Sequence, residues 1–221
     1  MITVKNLKKS YITKDIEVHA LKLIDLNIKK GEFLGLTGKS GAGKSTLLYQ
    51  LGLLDTPTEG TIKIDNIDTN SLSDKQRSDL RLKHLGYVFQ DYALIPDLNA
   101  LENVAIPLIM QGESYKEAKN KAKKKLIEVG LSNRVNNLPS ELSGGEQQRV
   151  AIARALICDP KIIFADEPTA NLDTENALNI LNIFKNLNKS GQTIVMITHE
   201  KEYTKFASRV ITLEDGLIKR V

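Results

Sequence analysis

The sequence predicts an α/β fold in which one core holds both chain ends and a helical insertion interrupts it. Three observations carry this. Short apolar, strand-like runs alternate with helical stretches up to about residue 90 and again after residue 156. Residues 91–156 read as loops and helices with no convincing strand. One strand also runs directly into a glycine-rich loop that opens a helix, a strand–loop–helix junction.

The first strands are "ITVKNL" and "HALKLIDLNI", where Leu21, Leu23, Ile24, Leu26 and Ile28 supply the apolar positions. "KKGE" is a turn. "FLGLTG" is a short apolar strand ending in the glycine-rich loop, and "STLLYQLGLL" is the helix that starts there. "DTPTEG" turns into the strand "TIKIDN". A polar helix, Ser73 to His84, precedes the strand "GYVFQ". After the insertion come the strand "KIIFAD", a helix from Thr174 to Asn188, the strand "TIVMITH", a short helix and "RVITLEDGLIKRV". Within the last piece, Asp215-Gly216 is a hairpin turn. The expected organisation is a single domain, 1–221, with 1–90 and 157–221 forming the core and 91–156 the helical part.

The 221 residues are enough to bury a sizeable core, and 41% hydrophobic with 26% charged residues is an ordinary globular balance. Cys158 is the single cysteine, so no internal disulfide can form, and after "AIARALI" it is expected to be a buried, inert thiol. No apolar stretch approaches a membrane span, and Met1 leads into "ITVKNL" instead of a signal peptide. The expected location is the cytoplasm, with any membrane role exercised through a partner. A net charge of +4 raises the question of nucleic acid or lipid surfaces. Yet the most basic segment, Tyr115 to Leu131, spaces Ala118, Ala122, Leu126 and Val129 as one helix face. Its lysines then form the opposite, solvated face.

"GKSGAGKS", Gly38 to Ser45, matches G-x-x-x-x-G-K-[ST] in full and in the right context. The glycines let backbone N–H groups converge on a β-phosphate. Lys44 would bridge β- and γ-oxygens, and Ser45 would place its hydroxyl on Mg²⁺. A triphosphate site also needs a second metal contact and a group that orients water. "KIIFADEP", Lys161 to Pro168, offers both: Asp166 at the carboxyl end of a buried strand, and Glu167 one residue beyond. A helix cap is the competing reading of these adjacent carboxylates, disfavoured by Pro168 and by the loop. Gln90 ends "GYVFQ" and His199 ends "TIVMITH", at the same edge as Asp166 if their strands run parallel to its own. The Gln90 amide could then sense the γ-phosphate, and the His199 imidazole could bond it and hold Glu167. His19 and His84 have no such placement and are read as surface or core residues.

"LSGGEQQRVAIARAL", Leu142 to Leu156, feeds a Ser-Gly-Gly turn into a helix N-terminus, a second place suited to an anion. This stretch strongly resembles the signature of the ATP-binding cassette (ABC) ATPases, and the resemblance continues in order along essentially the whole chain. It implies a P-loop NTPase (RecA-like) core with an N-terminal antiparallel β subdomain and an inserted α-helical subdomain. It implies ATP and Mg²⁺ as cofactors, with Tyr11 stacking on adenine. Gly38, Lys39, Ser40, Gly41, Ala42, Gly43, Lys44, Ser45 and Thr46 would surround the phosphates. Ser45, Gln90 and Asp166 would hold the metal, and Glu167, His199, Lys44 and Gln90 would serve catalysis. Ser143, Gly144, Gly145 and Glu146 would face the nucleotide of a second copy in a head-to-tail dimer, with Asp173 of "ANLD" at the seam.

The finer resemblance is to the branch containing macrolide exporters and the lipoprotein-releasing ATPase. It rests on "VHAL", "GYVFQDYALIPDLNALENV" and "PSELSGGEQQRVAIARAL". The branch implies a separate integral-membrane permease docking near Tyr92–Glu102, at the cytoplasmic face of the membrane. The alternative is a plain loop packing Leu94, Ile95 and Leu98 inward. Lys39, Glu146 and Ala170 depart from common family residues, and none of the three removes a catalytic group. The function implied is ATP hydrolysis driving export or extraction. A non-transporting ABC ATPase relaying a mechanical signal to a transporter-like membrane partner would carry the same residues. No nucleic-acid partner is expected, because repair forms need a long coiled-coil insertion and translation forms need two cassettes.

Overall fold

The computed structural model describes residues 1–13 and 16–220; Val221, included in the last predicted strand, lies outside them. The chain begins β1 (Ile2–Thr13), β2 (Ile16–Ile28), β3 (Phe33–Thr37), α1 (Lys44–Leu51), β4 (Glu59–Ile64), β5 (Ile67–Asp68), α2 (Asp74–His84) and β6 (Leu85–Val88). Three helices follow with no strand between them, α3 (Ala100–Met110), α4 (Tyr115–Glu128) and α5 (Gly144–Leu156). The rest is β7 (Ile162–Asp166), α6 (Thr174–Lys189), β8 (Thr193–Ile197), β9 (Arg209–Glu214) and β10 (Leu217–Arg220). The short helix expected after β8 is a 3₁₀ segment, Lys201–Phe206.

The strands form two sheets. One is antiparallel, in the order β2-β1-β4-β5. The other has the order β10-β9-β3-β8-β7-β6, in which β9, β3, β8, β7 and β6 run parallel and β10 returns antiparallel. Its central strands are apolar throughout because both faces are covered, as in parallel sheets generally. Along β7, Ile162 and Phe164 enter the core shared with the antiparallel sheet, while Ile163 and Ala165 enter the core shared with the helices. β8 alternates in the same way, with Val195 and Ile197 on one side and Ile194 and Met196 on the other. Each such buried Ile, Val, Phe or Met side chain contributes about 1.5–3 kcal/mol, so the parallel strands lock both layers together.

The helical cluster is built by faces already visible in the sequence. α4 buries Ala118, Ala122 and Leu126 and turns its lysines outward. α5 buries a continuous run from Val150 to Ala153 because it packs against α3, α4 and β6. The Asp215-Gly216 turn has φ of 48° and 76°, the paired positive angles of a tight hairpin between β9 and β10. Cys158 is half-buried, and burial pushes its thiol up to about 11, which keeps it protonated and unreactive at neutral pH.

Candidate nucleotide site

β3 delivers the chain to Gly38 at the carboxyl edge of the parallel sheet, where open α/β sheets hold ligands. Two glycines of the loop are dictated by backbone. At Gly38 (φ 143°) a Cβ would lie 2.3 Å from the Leu213 carbonyl oxygen, and at Gly43 (φ 98°) 2.5 Å from that of Ala20. No side chain can occupy either place. Gly43 is the N-cap of α1 and offers no side-chain bond, so no cap side chain occupies the first-turn N–H groups of this helix. The Lys44 ammonium donates to the carbonyls of Gly38 and Lys39, both at 3.0 Å. With only 8% of Lys44 exposed, its charge is held inside the loop.

The Ser45 hydroxyl donates to Asp166 Oδ1 at 3.3 Å. Burial pushes the Asp166 carboxyl up and neighbouring Glu167 adds to this, while the Tyr49 and Ser45 hydroxyls and Lys44 act against it. A divalent cation would relieve the strain on this buried acid. Among the described residues no three His, Cys, Asp or Glu side chains converge on a metal position. A hydroxyl and one carboxylate suit Mg²⁺, which takes its remaining ligands from phosphate and water. Glu167 stands at φ 45°, a left-handed conformation uncommon outside glycine and concentrated at functional sites. Its Oε2 lies 3.0 Å from His199 Nδ1.

β6, β7 and β8 are parallel neighbours, so Gln90, Asp166 and His199 leave the sheet at one edge. The ladders close at Val88↔Ala165 and Asp166↔Ile197, so Gln90 and His199 lie two residues past their strands instead of ending them. The Gln90 carbonyl accepts from Asn171 Nδ2 at 3.0 Å.

A cleft of about 690 Å³ opens above the loop. From the predicted set it is lined by Gly38, Ser40, Gly41, Gly43, Lys44, Ser45, Thr46, Glu167 and His199. Lys39, Ala42, Asp166, Gln90, Tyr11, Asp173 and the Ser143–Glu146 turn are not part of that lining. Val18, His19, Ala20, Lys22, Asp215 and Gly216 are. His19, read as a surface or core residue, is exposed on β2 and borders this cleft. The cause is long-range: Lys22 N–H donates to the Gly216 carbonyl at 2.7 Å, and Gly216 N–H to that of Ala42 at 3.2 Å. These two bonds lay β2 and the β9–β10 turn against the phosphate loop. No local signal in the sequence specifies that contact.

The Ser-Gly-Gly turn starts α5, with Ser143 as N-cap. Ser143 Oγ accepts from Glu146 N–H (3.3 Å) and Glu146 Oε2 from Ser143 N–H (2.8 Å), a closed capping box. Glu146 Oε1 also accepts from Arg134 Nε at 2.8 Å. Gly145 abuts Asn176, where a Cβ would come within 2.6 Å of the side-chain oxygen. Asp173 caps α6, accepting from the Asn176 N–H and side-chain amide at 2.8 and 2.7 Å. Tyr92 and Ala93 both have positive φ, and the Arg154 guanidinium on α5 donates to both carbonyls. Leu94 packs on the helical core while Ile95 is exposed, so the loop of Leu94, Ile95 and Leu98 is only partly turned inward.

A family model described as ABC transporter matches residues 21–170. The chain belongs to the ABC transporter family. The lipoprotein-releasing system ATP-binding protein of Aquifex aeolicus is 47% identical to it, covering 99% of this chain and 96% of that protein. A macrolide export ATP-binding/permease protein of Mannheimia succiniciproducens is 46% identical over 99% of this chain, which spans 34% of that longer protein. Among solved structures, the dimeric post-hydrolysis state of an ATP-binding cassette bound to ADP and Pi superposes with a TM-score of 0.93. It is 45% identical and covers 100% of this chain and 97% of that one. The protein is thus an ABC ATPase cassette with the expected fold, a parallel core flanked by an antiparallel sheet and helices. Within the cassette, Tyr49 and Arg154 are the contacts that motif reading passed over. Each lies on a helix that a motif had already flagged, and only the tertiary fold aims them.

Proposed function

We propose that the cassette binds MgATP in the cleft over the phosphate loop, pairs head to tail with a second copy, and couples hydrolysis to movement of an integral-membrane permease. The observation carrying this reading is the meeting of Lys44, Ser45, Glu167 and His199 in one cleft, with Asp166 bonded to Ser45. Lys44 exchanges its bonds to the loop carbonyls for β- and γ-oxygens of the nucleotide. The α1 N–H groups hold the β-phosphate. Glu167 orients the attacking water and takes its proton, and the His199 imidazole holds the Glu167 carboxylate in register. Mg²⁺, held through Ser45 and Asp166 with Gln90 near by, would neutralise charge on the bridging phosphate oxygens. Tyr11 stacks on the base.

Ser143, Gly144 and Gly145 serve the partner copy's γ-phosphate. The capping box uses the Ser143 and Glu146 N–H groups, and neither Gly144 nor Gly145 N–H donates to a partner among the described residues. Asp173 lies at the dimer seam. The permease docks at Tyr92–Glu102, a reading supported by the adjoining groove of about 560 Å³ lined by Tyr87, Phe89, Ala93, Pro107 and Met110. No helix among the described residues is long and apolar enough to cross a membrane. In this reading the permease holds the cassette at the cytoplasmic face. Likeness to lipoprotein-releasing and macrolide-export proteins favours export or extraction as the direction.

Light scattering of Glu167→Gln with and without ATP and Mg²⁺ tests the dimer. The expected result is a doubling of mass with MgATP that Ser143→Arg abolishes. A monomer in every condition, unchanged when purified permease is added, overturns the cross-chain assignment of Ser143.

A further inference from the structure

The tip of the antiparallel sheet carries a partly buried polar cluster around Tyr11, of which the reading above leaves Lys9 and Asp55 unused. Lys9, with 9% of its surface exposed, donates to Asp55 Oδ1 at 2.7 Å and to the Thr56 carbonyl at 2.9 Å. Its ammonium sits over the Tyr11 ring, 4.8 Å from the centroid. The Tyr11 hydroxyl donates to the other Asp55 oxygen at 2.8 Å. Asp55 lies on the turn that leaves α1, four residues past Leu51, and its N–H bonds the Tyr49 carbonyl of that helix at 3.3 Å. Burial alone would raise the Asp55 carboxyl, but Lys9, the Tyr11 hydroxyl and the Thr56 N–H hold it below its ordinary value. It is a permanent anion at neutral pH.

Two links tie this cluster to the cleft. Tyr11 is the cross-strand partner of Val18, so their side chains share a sheet face, and Val18 lines the cleft. The Tyr11 hydroxyl also faces Thr46, another lining residue. Lys9 covers one face of the ring, and Tyr11 keeps 40% of its surface open.

We propose that Lys9 and Asp55 are positioning residues for base recognition: they fix Tyr11 as a stacking platform with one open face. A planar heteroaromatic base can approach only from the side away from Lys9. Since Asp55 stands on the turn leaving α1, the distance from the stacked base to the phosphate loop is set by the chain itself. This inference rests on the proposed stacking of Tyr11 on the base.

Calorimetric titration of the full chain with MgATP and with magnesium tripolyphosphate, which has no base, separates the possibilities. Tyr11→Phe and Asp55→Asn should each weaken ATP about three- to tenfold, a part of what base stacking on an aromatic contributes. The double variant should be no weaker than either single one, because Asp55 acts through the hydroxyl. Lys9→Met, which leaves the Asp55–Tyr11 bond in place, should weaken ATP in the same direction, and it reads the inference if Asp55→Asn does not fold. Tripolyphosphate affinity should be unchanged throughout. Additive losses, unchanged ATP affinity in Asp55→Asn and Lys9→Met, or parallel loss of tripolyphosphate would overturn the inference. Tyr11→Ala distinguishes the failures. If it leaves ATP affinity intact, base stacking itself is refuted; if it alone weakens ATP, only the positioning role falls.

Discussion

The N-termini of α1 and α5 both have glycines at their starts, Gly43 just before α1 and Gly144-Gly145 in the first turn of α5, yet they are built in opposite ways. α1 starts after Gly43 with no side-chain cap and no acid in its first turn. α5 starts after Ser143 with a closed capping box and Glu146 in its first turn, ion-paired to Arg134. The α5 pattern is the habit of this chain. α2, α3, α4 and α6 are likewise capped by Ser73, Asn99, Ser114 and Asp173, each with an acid in the first turn. A helix start carries roughly half a positive charge, and a nearby carboxylate gains about 0.3–1 kcal/mol from it. α1 leaves that field unspent and adds Lys44, so it attracts an anion unaided. At α5 a carboxylate is already seated and leaves only the two glycine N–H groups for a ligand. On the proposed reading, phosphate binding within one chain falls to α1, while α5 would receive the anion from a second nucleotide-loaded copy.

The strongest test of this contrast is Lys44→Ala, which removes the cation that α1 relies on. Loss of a buried, hydrogen-bonded charge partner costs about 2–5 kcal/mol, so ATP affinity measured by calorimetry should fall about a hundredfold. Affinity within fivefold of the parent would mean that the helix field alone holds the nucleotide. Next in size is Glu167→Gln. Steady-state turnover should drop by about 10²–10⁴ while the ATP dissociation constant stays within about threefold, as expected for a water-orienting base. Substantial ATPase activity in the purified variant would remove Glu167 from that role.

Two smaller effects sharpen the α5 side. Ser143→Ala deletes the cap and should lower unfolding free energy by about 1 kcal/mol in urea titrations, with ATP binding to the isolated chain unchanged. An equal loss of ATP affinity would mean that Ser143 reaches its own nucleotide. Smallest is the acid response of Glu146. Its carboxyl is held below the ordinary value by the Ser143 N–H, then by the Arg134 guanidinium. The stabilisation is complete above the ordinary value of 4.5 and is lost as pH falls through the depressed one. Arg134 is half-exposed, which keeps the gain below about 1 kcal/mol. The urea midpoint should drop more between pH 6 and pH 3.5 in the parent than in Glu146→Gln. Identical slopes would show the pair to be energetically silent.

What the sequence by itself determined is whatever is contiguous in chain and chemistry. Gly38 to Ser45 can be read because the loop's glycines, ammonium and hydroxyl are neighbours, whereas Leu142 to Gln147 is legible through its resemblance to the family signature. The apolar runs of β3, β7 and β8 mark strands buried on both faces, and the Ala118–Ala122–Leu126 spacing marks the inner side of α4. Tertiary structure alone decided what is separated along the chain. Ala42 meets Gly216, Lys22 meets the same residue, and His19 thereby reaches the cleft. Lys9 and Tyr11 find Asp55 across some forty residues, and Arg154 holds two left-handed carbonyls some sixty residues away. The left-handed Glu167 is likewise invisible in the string "ADEP". Periodicity and propensity describe how each segment buries its own face. Which segments then meet depends on sheet order and register, set by closing both cores at once, and no single stretch of sequence carries that information.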